Sequence, residues 1–167
     1  MGTSKAHACE MCGRSTTDHD RDVRFRLPDP VLNTQEQHHA EGSWLSDPDP
    51  NLATLMQIQG ISPFVRALLP IRLDGGHTLC YGVWIAIHPD DLQRAASVWN
   101  KPEYSELKLT GYLANKIEPW GLFAAPVNLA VLDPDHTPYC VSSPDHVLSD
   151  VLTKEWPHSV LASLPPR

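Results

Sequence analysis

Cys9 and Cys12 are the residues whose type and spacing most directly suggest chemistry. Two thiolates separated by two residues, with Gly13 allowing the chain to reverse, can occupy two corners of a tetrahedral zinc site. We expect His7 and His19 to be candidates for the remaining corners. A redox-active dithiol and an exposed pair with no ligand are the alternatives to zinc. Other candidate ligands are His38, His39, Cys80 and Cys140.

Asp145 and His146 form the best acid–base candidate in the sequence. A histidine close to a carboxylate can be tuned across neutral pH and can carry a proton. The alternative is structural, because Ser143-Pro144 favours the start of a helix. Asp145 would then stabilise the positive N-terminal end of that helix, and His146 would pack or bond locally. The tripeptide Pro-Asp-His also occurs at 134–136, which we interpret as the same turn chemistry used twice.

Arg66 is a cation in an otherwise apolar segment. A guanidinium keeps its charge at ordinary pH, so on an apolar face it needs a carboxylate or phosphate partner. Asp47 or Asp145 could supply that partner from within the chain. The other interpretation is an anionic ligand.

Residues 64–73 and 78–87 predict the hairpin that carries Arg66, since strand-like runs flank the turn Asp74-Gly75-Gly76-His77. A turn centred on the two glycines would place Ala67 opposite Trp84. Arg66 would then share its face with Tyr81, and Trp84 would belong to the other face. Tyr81 and Trp84 are candidates for lining a ligand site near Arg66, or for filling the core.

The remaining patterns predict helices over 89–99 and from 143 to about 155, and a second hairpin from 127–132 and 137–142. Weaker patterns predict helices over 31–40 and 103–117. Short turns between successive strands indicate an α+β domain, with a largely antiparallel sheet built from hairpins and with packed helices. We expect an N-terminal Cys-x-x-Cys segment over 1–22 and a single α+β domain over 23–167.

Composition excludes several classes of protein. The chain has 167 residues, 41% of them hydrophobic, which is enough for a buried core and argues against intrinsic disorder. Its formal net charge is −7, with no cluster of Lys and Arg, which argues against nucleic-acid binding. No apolar run approaches the roughly 18 residues that span a membrane, and no secretory signal is evident, so we expect a cytoplasmic protein.

Eight short segments, in order along nearly the whole chain, resemble the uncharacterised bacterial family called domain of unknown function twenty-one ninety-nine. The resemblance implies a stand-alone intracellular bacterial protein and no established activity. The family pattern has a further cysteine after Ser46-Asp47, where this chain has Pro48, which weakens the case for a complete zinc site. The segments are Cys9-x-x-Cys12-Gly13, Leu27-Pro28-Asp29, Ser46-Asp47, Phe64-Val65-Arg66, Leu69-Pro70-Ile71, Tyr81-Gly82-Val83-Trp84, Gly111-Tyr112-Leu113 and Asp145-His146-x-Leu148.

Three functional hypotheses follow. The first is a cytoplasmic binding or interaction module for a protein partner or a small anionic ligand, with zinc at Cys9 and Cys12 as its possible cofactor. The second is an enzyme in which Arg66 anchors a small anionic substrate and His146, helped by Asp145 or Asp47, moves a proton. The third is an immunity-type protein that caps a basic toxin, suggested by the small size and negative charge. No Gly-x-Ser-x-Gly elbow, phosphate loop, dinucleotide fingerprint or His-Glu-x-x-His helix is present.

Overall fold

A computed structural model describes residues 22–32, 42–50 and 52–163. The predicted segment 1–22 lies outside these residues, apart from Asp22. Within them the chain forms one mostly antiparallel sheet with short helices around it, as expected for an α+β protein. None of the described helices is both long and apolar enough to cross a membrane.

The centre of the sheet is an antiparallel pair, β4 (Ser62–Leu73) and β5 (His77–Ala86). The predicted hairpin is present, but its predicted register is wrong by one residue: Arg66 pairs with Trp84, and Leu73 with His77. The connection has three residues, 74–76, with positive φ angles at Gly75 and Gly76 of 86° and 84°. Because side chains alternate along a strand, this shift exchanges the two faces of β5 relative to β4. Arg66 and Trp84 therefore project on the same face.

Three further strands close this hairpin into a small barrel. They are β6 (Lys108–Leu113), β7 (Pro126–Ala130) and β8 (Tyr139–Ser142), with β5–β6, β6–β7 and β7–β8 all antiparallel. Strand β8 then meets β4 in parallel, where Leu68 pairs with Tyr139. The loop between β7 and β8 is thereby brought beside the middle of β4.

Four short strands extend the barrel at its edges. β1 (Asp22–Arg24) runs parallel to β5, and β9 (Glu155–Trp156) runs parallel to β4. β3 (Leu55–Ile58) is antiparallel to β4, and β2 (Trp44–Leu45) is antiparallel to β3. The expectation of a sheet built from hairpins therefore holds in part, since β1, β8 and β9 each add a parallel contact.

The helices are α1 (Asp29–Leu32), α2 (Pro89–Val98) and α3 (His146–Thr153), with 3₁₀ turns at Pro102–Glu106 and His158–Ser163. The helix predicted over 89–99 is confirmed to within a residue. The helix predicted over 143–155 is shorter, because Asp145 rather than Ser143 caps it. Of the segment 31–40, two residues belong to α1 and the rest lie outside the described residues.

The helix predicted over 103–117 is wrong, because this segment forms a 3₁₀ turn followed by β6. Gly111 allows β6 to lie close against β5. A Cβ atom at Gly111 would lie 2.2 Å from the carbonyl oxygen of Ala86. Strand β6 therefore approaches β5 more closely than any side chain at this position would permit.

Two apolar clusters bury the two faces of the central hairpin. The barrel interior holds one cluster, which includes Val65, Leu69, Val83 and Ile85. The other face packs against α1 and β3 in a second cluster that includes Leu27, Val31, Met56, Phe64 and Trp84. Arg66 belongs to this second face, so its charge enters an apolar layer.

Candidate functional site

The Arg66 side chain is buried, with 1% of its surface exposed. Its guanidinium donates hydrogen bonds to backbone carbonyl oxygens: Nε to Ala53 at 3.4 Å, Nη2 to Pro50 at 2.9 Å, and Nη1 to Gly82 at 3.2 Å and to Phe25. These contacts connect β4 to the segments before β3 and after β1 and to β5. Arg66 is therefore a buried charge that also joins three other segments of the chain to β4.

Trp84 lies directly beneath this cation. The guanidinium carbon of Arg66 is 4.0 Å from the centre of the Trp84 ring, a cation–π contact. Trp84 is completely buried, and its indole Nε1 donates to the carbonyl of Arg26 at 3.3 Å. The prediction that Trp84 belongs to the opposite face is wrong, because it depended on the shifted register. Trp84 both fills the core and supports the charge.

Neither of the carboxylates expected to neutralise Arg66 does so. Among the residues that the structure describes, Arg66 forms no ion pair. Asp47 accepts a hydrogen bond from the backbone N–H of Asp49 at 2.9 Å, within the turn that leads to Pro50. Burial, and secondly the positive charge of Arg24, lowers the pKa of Arg66 to about 9. The guanidinium is still charged at neutral pH, with carbonyl dipoles and an aromatic face in place of a counter-ion.

A pocket of about 230 Å³ opens over Arg66, and we call it the Arg66 pocket. It is formed where β1, the central hairpin and the loop between β7 and β8 meet. Arg24 projects here from β1, where it pairs with Gly82. A Cβ atom at Gly82 would lie 3.3 Å from Cγ of Arg24, so glycine leaves room for this side chain. The lining residues are Arg24, Arg66, Leu68, Gly82, Asp135, His136 and Thr137.

Arg24 differs from Arg66 in having no partner. Its side chain is exposed and forms no hydrogen bond or ion pair within the described part of the chain. All five of its N–H donors are therefore available to a ligand. The two guanidiniums are close enough for Arg24 to lower the pKa of Arg66.

The loop between β7 and β8 is held by Asp133. Its carboxylate accepts from the N–H of Asp135 at 2.9 Å, and its carbonyl accepts from the N–H of His136 at 3.0 Å. Nδ1 of His136 lies 3.1 Å from the hydroxyl of Tyr139 and 3.6 Å from the carboxylate of Asp133. The buried Tyr104 hydroxyl donates to the carbonyl of His136 at 2.6 Å. These bonds set the positions of Asp135 and His136 at the pocket.

The phenol groups around this loop are held in their protonated form. Burial raises the pKa of Tyr104 to about 12. Burial first, and then the nearby Cys80 and Asp133, also raises the pKa of Tyr139. Both hydroxyls therefore remain hydrogen-bond donors well above neutral pH.

The predicted acid–base pair lies elsewhere. Asp145 caps α3 by accepting from the N–H of Leu148 at 2.9 Å. The His146 side chain is 93% exposed, and its Nε2 lies 3.8 Å from the carboxylate of Asp150 one turn along. Within the described residues, neither Asp145 nor His146 shares a hydrogen bond, an ion pair or a pocket with Arg66. The structural interpretation of this pair accounts for both side chains.

Tyr81 does not reach the Arg66 pocket either. It pairs with Leu69, is 3% exposed, and projects into the barrel interior. Its ring stacks on Phe25 with ring centres 6.2 Å apart. Of the predicted ligand-binding residues, the structure brings Arg66 and Trp84 together and separates them from Tyr81 and Asp47.

The predicted zinc ligands Cys9, Cys12, His7 and His19 all lie outside the described residues. Within the described ranges, no three His, Cys, Asp or Glu side chains are arranged to hold a metal ion. Cys140 is buried in the barrel interior, and burial strongly raises the pKa of its thiol, as expected for a small apolar core residue.

A larger cavity lies elsewhere in the described residues, an open and mainly apolar groove of about 710 Å³ near the start of α2. Its titratable side chains are His88, Asp91 and Tyr112, and the first two have structural partners. Nδ1 of His88 accepts from the N–H of Asp90 at 3.1 Å as the cap of α2, and Asp91 lies 3.2 Å from Arg94. The smaller Arg66 pocket brings together two guanidiniums that have no ion-pair partner in the described residues, and we therefore take it as the candidate site.

Sequence reasoning missed Arg24, Asp135 and His136 as site residues. The alternation of Val23, Phe25 and Leu27 with arginines predicts only a half-exposed strand around Arg24, and residues 134–136 are predicted only as a turn. Their meeting depends on the parallel pairings of β1 with β5 and of β8 with β4, which join segments far apart in the sequence. The local signal that was present is Gly82, whose missing side chain admits Arg24.

A family model described as an uncharacterised protein conserved in bacteria, DUF2199, matches residues 8–151. No curated protein and no solved structure matches the chain.

Proposed function

From the premise that this chain belongs to the DUF2199 family of uncharacterised bacterial proteins, as its sequence predicted, we propose that it is a cytoplasmic binding module that holds an anionic group in the Arg66 pocket. The anionic group is a carboxylate or phosphate on a small ligand or on a protein partner. Arg24 supplies the accessible donors, and Arg66 supplies a fixed positive charge from the floor of the pocket.

The observation that supports this proposal is a pair of guanidiniums at one pocket with no ion-pair partner for either in the described part of the chain. Four N–H groups of Arg66 point to carbonyls, which satisfy hydrogen bonds and leave the net charge in place. A buried charge without a counter-ion costs free energy, and the neighbouring Arg24 adds repulsion. An anion between them would lower both costs and form charge-assisted hydrogen bonds.

The size of the pocket limits the ligand. Sites that enclose a drug-sized molecule usually have roughly 300–1,000 Å³, whereas the Arg66 pocket has about 230 Å³. It can therefore take one anionic group with a few attached atoms, or the charged end of a larger partner. Leu68 and Gly82 provide the apolar part of the wall.

The two other hypotheses have less support. An enzyme in which Arg66 holds the substrate and His146 moves a proton requires both side chains to reach one ligand, and they line no common pocket in the described residues. An immunity-type protein that caps a basic toxin rests on the net charge of −7 and the small size alone. The contacts around Arg66 favour an anion-binding role over either.

Zinc at Cys9 and Cys12 is also a proposal, supported by the spacing of the two thiols alone. It is independent of the Arg66 pocket. Measurement of metal in the purified chain, with a Cys9→Ser, Cys12→Ser double variant as the control, tests it directly.

Titration of the full chain with acetate and with inorganic phosphate, followed by backbone amide NMR, tests the anion site. We expect the amide signals of Gly82 and Thr137 to shift. Arg24→Gln should weaken binding about tenfold or more, since it removes a charge-assisted contact. The matched control is Arg94→Gln, which removes the same charge from α2. Equal affinities for the two variants, or no shift at the pocket amides, would overturn the proposal.

A further inference from the structure

Asp135 is the one carboxylate among the residues that line the Arg66 pocket. Its side chain is exposed and forms no hydrogen bond or ion pair with any part of the chain that the structure describes. No guanidinium nitrogen of Arg24 or Arg66 lies within the 4.0 Å of an ion pair from it. The pocket thus presents positive groups and a separate negative group to the same small space.

We propose that the ligand of this pocket is a zwitterion, specifically a free α-amino acid, with its carboxylate toward Arg24 and Arg66 and its ammonium group toward Asp135. This inference rests on the proposed anion site and names the class of ligand that the site takes. A purely anionic ligand would place its charge near an unpaired carboxylate, which opposes binding. An ammonium group on the same ligand converts that repulsion into an attraction.

The dimensions of the pocket agree with this ligand. In an α-amino acid the ammonium and carboxylate groups are attached to one carbon atom, so the molecule presents opposite charges across a few ångströms. A volume of about 230 Å³ accommodates such a molecule with a small side chain. Leu68 and Gly82 are the apolar members of the lining, and the carbon atoms of the ligand would lie against them.

The position of Asp135 is set by the backbone of its own turn rather than by its side chain. The N–H groups of Asp135 and His136 are both bonded to Asp133, and Tyr104 holds the carbonyl of His136. The carboxylate of Asp135 is therefore presented by a braced loop while remaining unpaired. A braced loop reduces the ordering cost of binding.

Four probes distinguish the amino-acid proposal from the anion site on which it rests: L-alanine, propionate, ethylamine and inorganic phosphate. Each is titrated into the full chain and followed by the amide signals of Gly82 and Thr137. We expect L-alanine to bind about tenfold more tightly than propionate, which lacks the amine, and more tightly than phosphate. Ethylamine, which lacks the carboxylate, should bind most weakly.

Asp135→Asn should remove the preference for L-alanine over propionate and leave propionate binding unchanged or stronger. The matched control is Asp145→Asn in the second Pro-Asp-His tripeptide, because asparagine also caps a helix and the residue lies outside the pocket. Thermal unfolding of both variants confirms that they are folded.

Equal affinity of the wild-type chain for L-alanine and propionate would overturn the amino-acid proposal while leaving the anion site in place. Tighter binding of phosphate than of L-alanine would do the same and would identify a phosphate site. No response of the pocket amides to any probe would overturn both the inference and the proposed function.

Discussion

The tripeptide Pro-Asp-His occurs at 134–136, the first copy, and at 144–146, the second copy, and the two do different work. In the first copy the aspartate side chain is unpaired at the Arg66 pocket and the histidine is bound to its own turn. In the second copy the aspartate caps α3 and the histidine is almost fully exposed. The same three residues thus serve a pocket in one place and a helix terminus in the other.

The residues that follow each copy explain the difference. Pro138 comes two residues after the first copy, and it disfavours helical backbone at Thr137 and removes a backbone donor. The second copy is followed by ten residues before the next proline, with Leu148 and Val151 spaced to face the core. A helix can form only after the second copy. The identity of a short motif therefore says less about its role than the backbone that its neighbours permit.

Replacing Arg66 should produce the largest difference between the two copies, because Arg66 lines a pocket with the first copy and not with the second. Arg66→Met would leave the carbonyls of Phe25, Pro50 and Ala53 without the donor that Arg66 supplies and would remove one of the two donors to the carbonyl of Gly82. We expect it to lower the free energy of unfolding by about 3 kcal/mol or more. Urea unfolding measures this loss. In the folded Arg66→Met variant, amide signals at 135–137 should shift from their wild-type positions while those at 145–147 do not.

Arg66→Lys is the control for charge. Lysine keeps the positive charge but cannot reproduce the planar fork that reaches carbonyls on three segments, so it should also destabilise the fold, though less than methionine. Full stability of either variant would show that the carbonyl contacts contribute little.

Replacing the aspartate of each copy should have a smaller effect on stability than replacing Arg66, and here the second copy should be the more sensitive one. Asp145→Ala removes the cap of α3 and should cost about 1 kcal/mol of stability. Asp135→Ala breaks no side-chain hydrogen bond or ion pair in the described structure and should change stability by less than about 0.5 kcal/mol. Thermal and urea unfolding of the two variants measure the difference. Asp145→Asn should be close to wild type, because asparagine caps comparably. Similar losses for the two alanine variants would contradict the distinction between the copies.

The sequence supports some of these assignments and not others, for physical reasons. Local signals predict the central hairpin and α2, because glycine turns and proline helix starts act within a few residues. The register of the hairpin is missed by one residue, since Asp74-Gly75-Gly76-His77 is compatible with loops of two or three residues. That single shift moves Trp84 to the Arg66 face.

Only part of the candidate site can be predicted from the sequence. A cation in an apolar segment predicts that Arg66 lies among apolar residues, and its burial confirms this. The carboxylate or phosphate partner that it was also expected to need is not supplied by any described residue. Its actual partners are backbone carbonyls, which every residue carries and which leave no signature in the sequence. Arg24 and the first copy join the site through two parallel strand pairings between distant segments, and no local pattern predicts these.

The smallest expected effect concerns the brace of the first copy, the hydrogen bond from Tyr104 to the carbonyl of His136. Tyr104→Phe removes this bond, and at neutral pH it should cost about 0.5–1 kcal/mol of stability. Amide hydrogen exchange should accelerate at 135–137 and remain unchanged at 145–147. Equal exchange at both copies would show that Tyr104 does not position the loop.

Alkaline pH gives a second test of the contribution of Tyr104. The pKa of Tyr104 is raised from 10.0 in the unfolded chain to about 12 in the folded one. Its contribution to stability is therefore complete below pH 10 and is lost as the pH rises through 12, because only the unfolded chain releases the proton in between. Tyr104→Phe should lose less stability than wild type over that interval in urea unfolding at stepped pH. The remaining loss belongs to other buried acids such as Cys140, whose pKa is also raised and which the variant leaves intact.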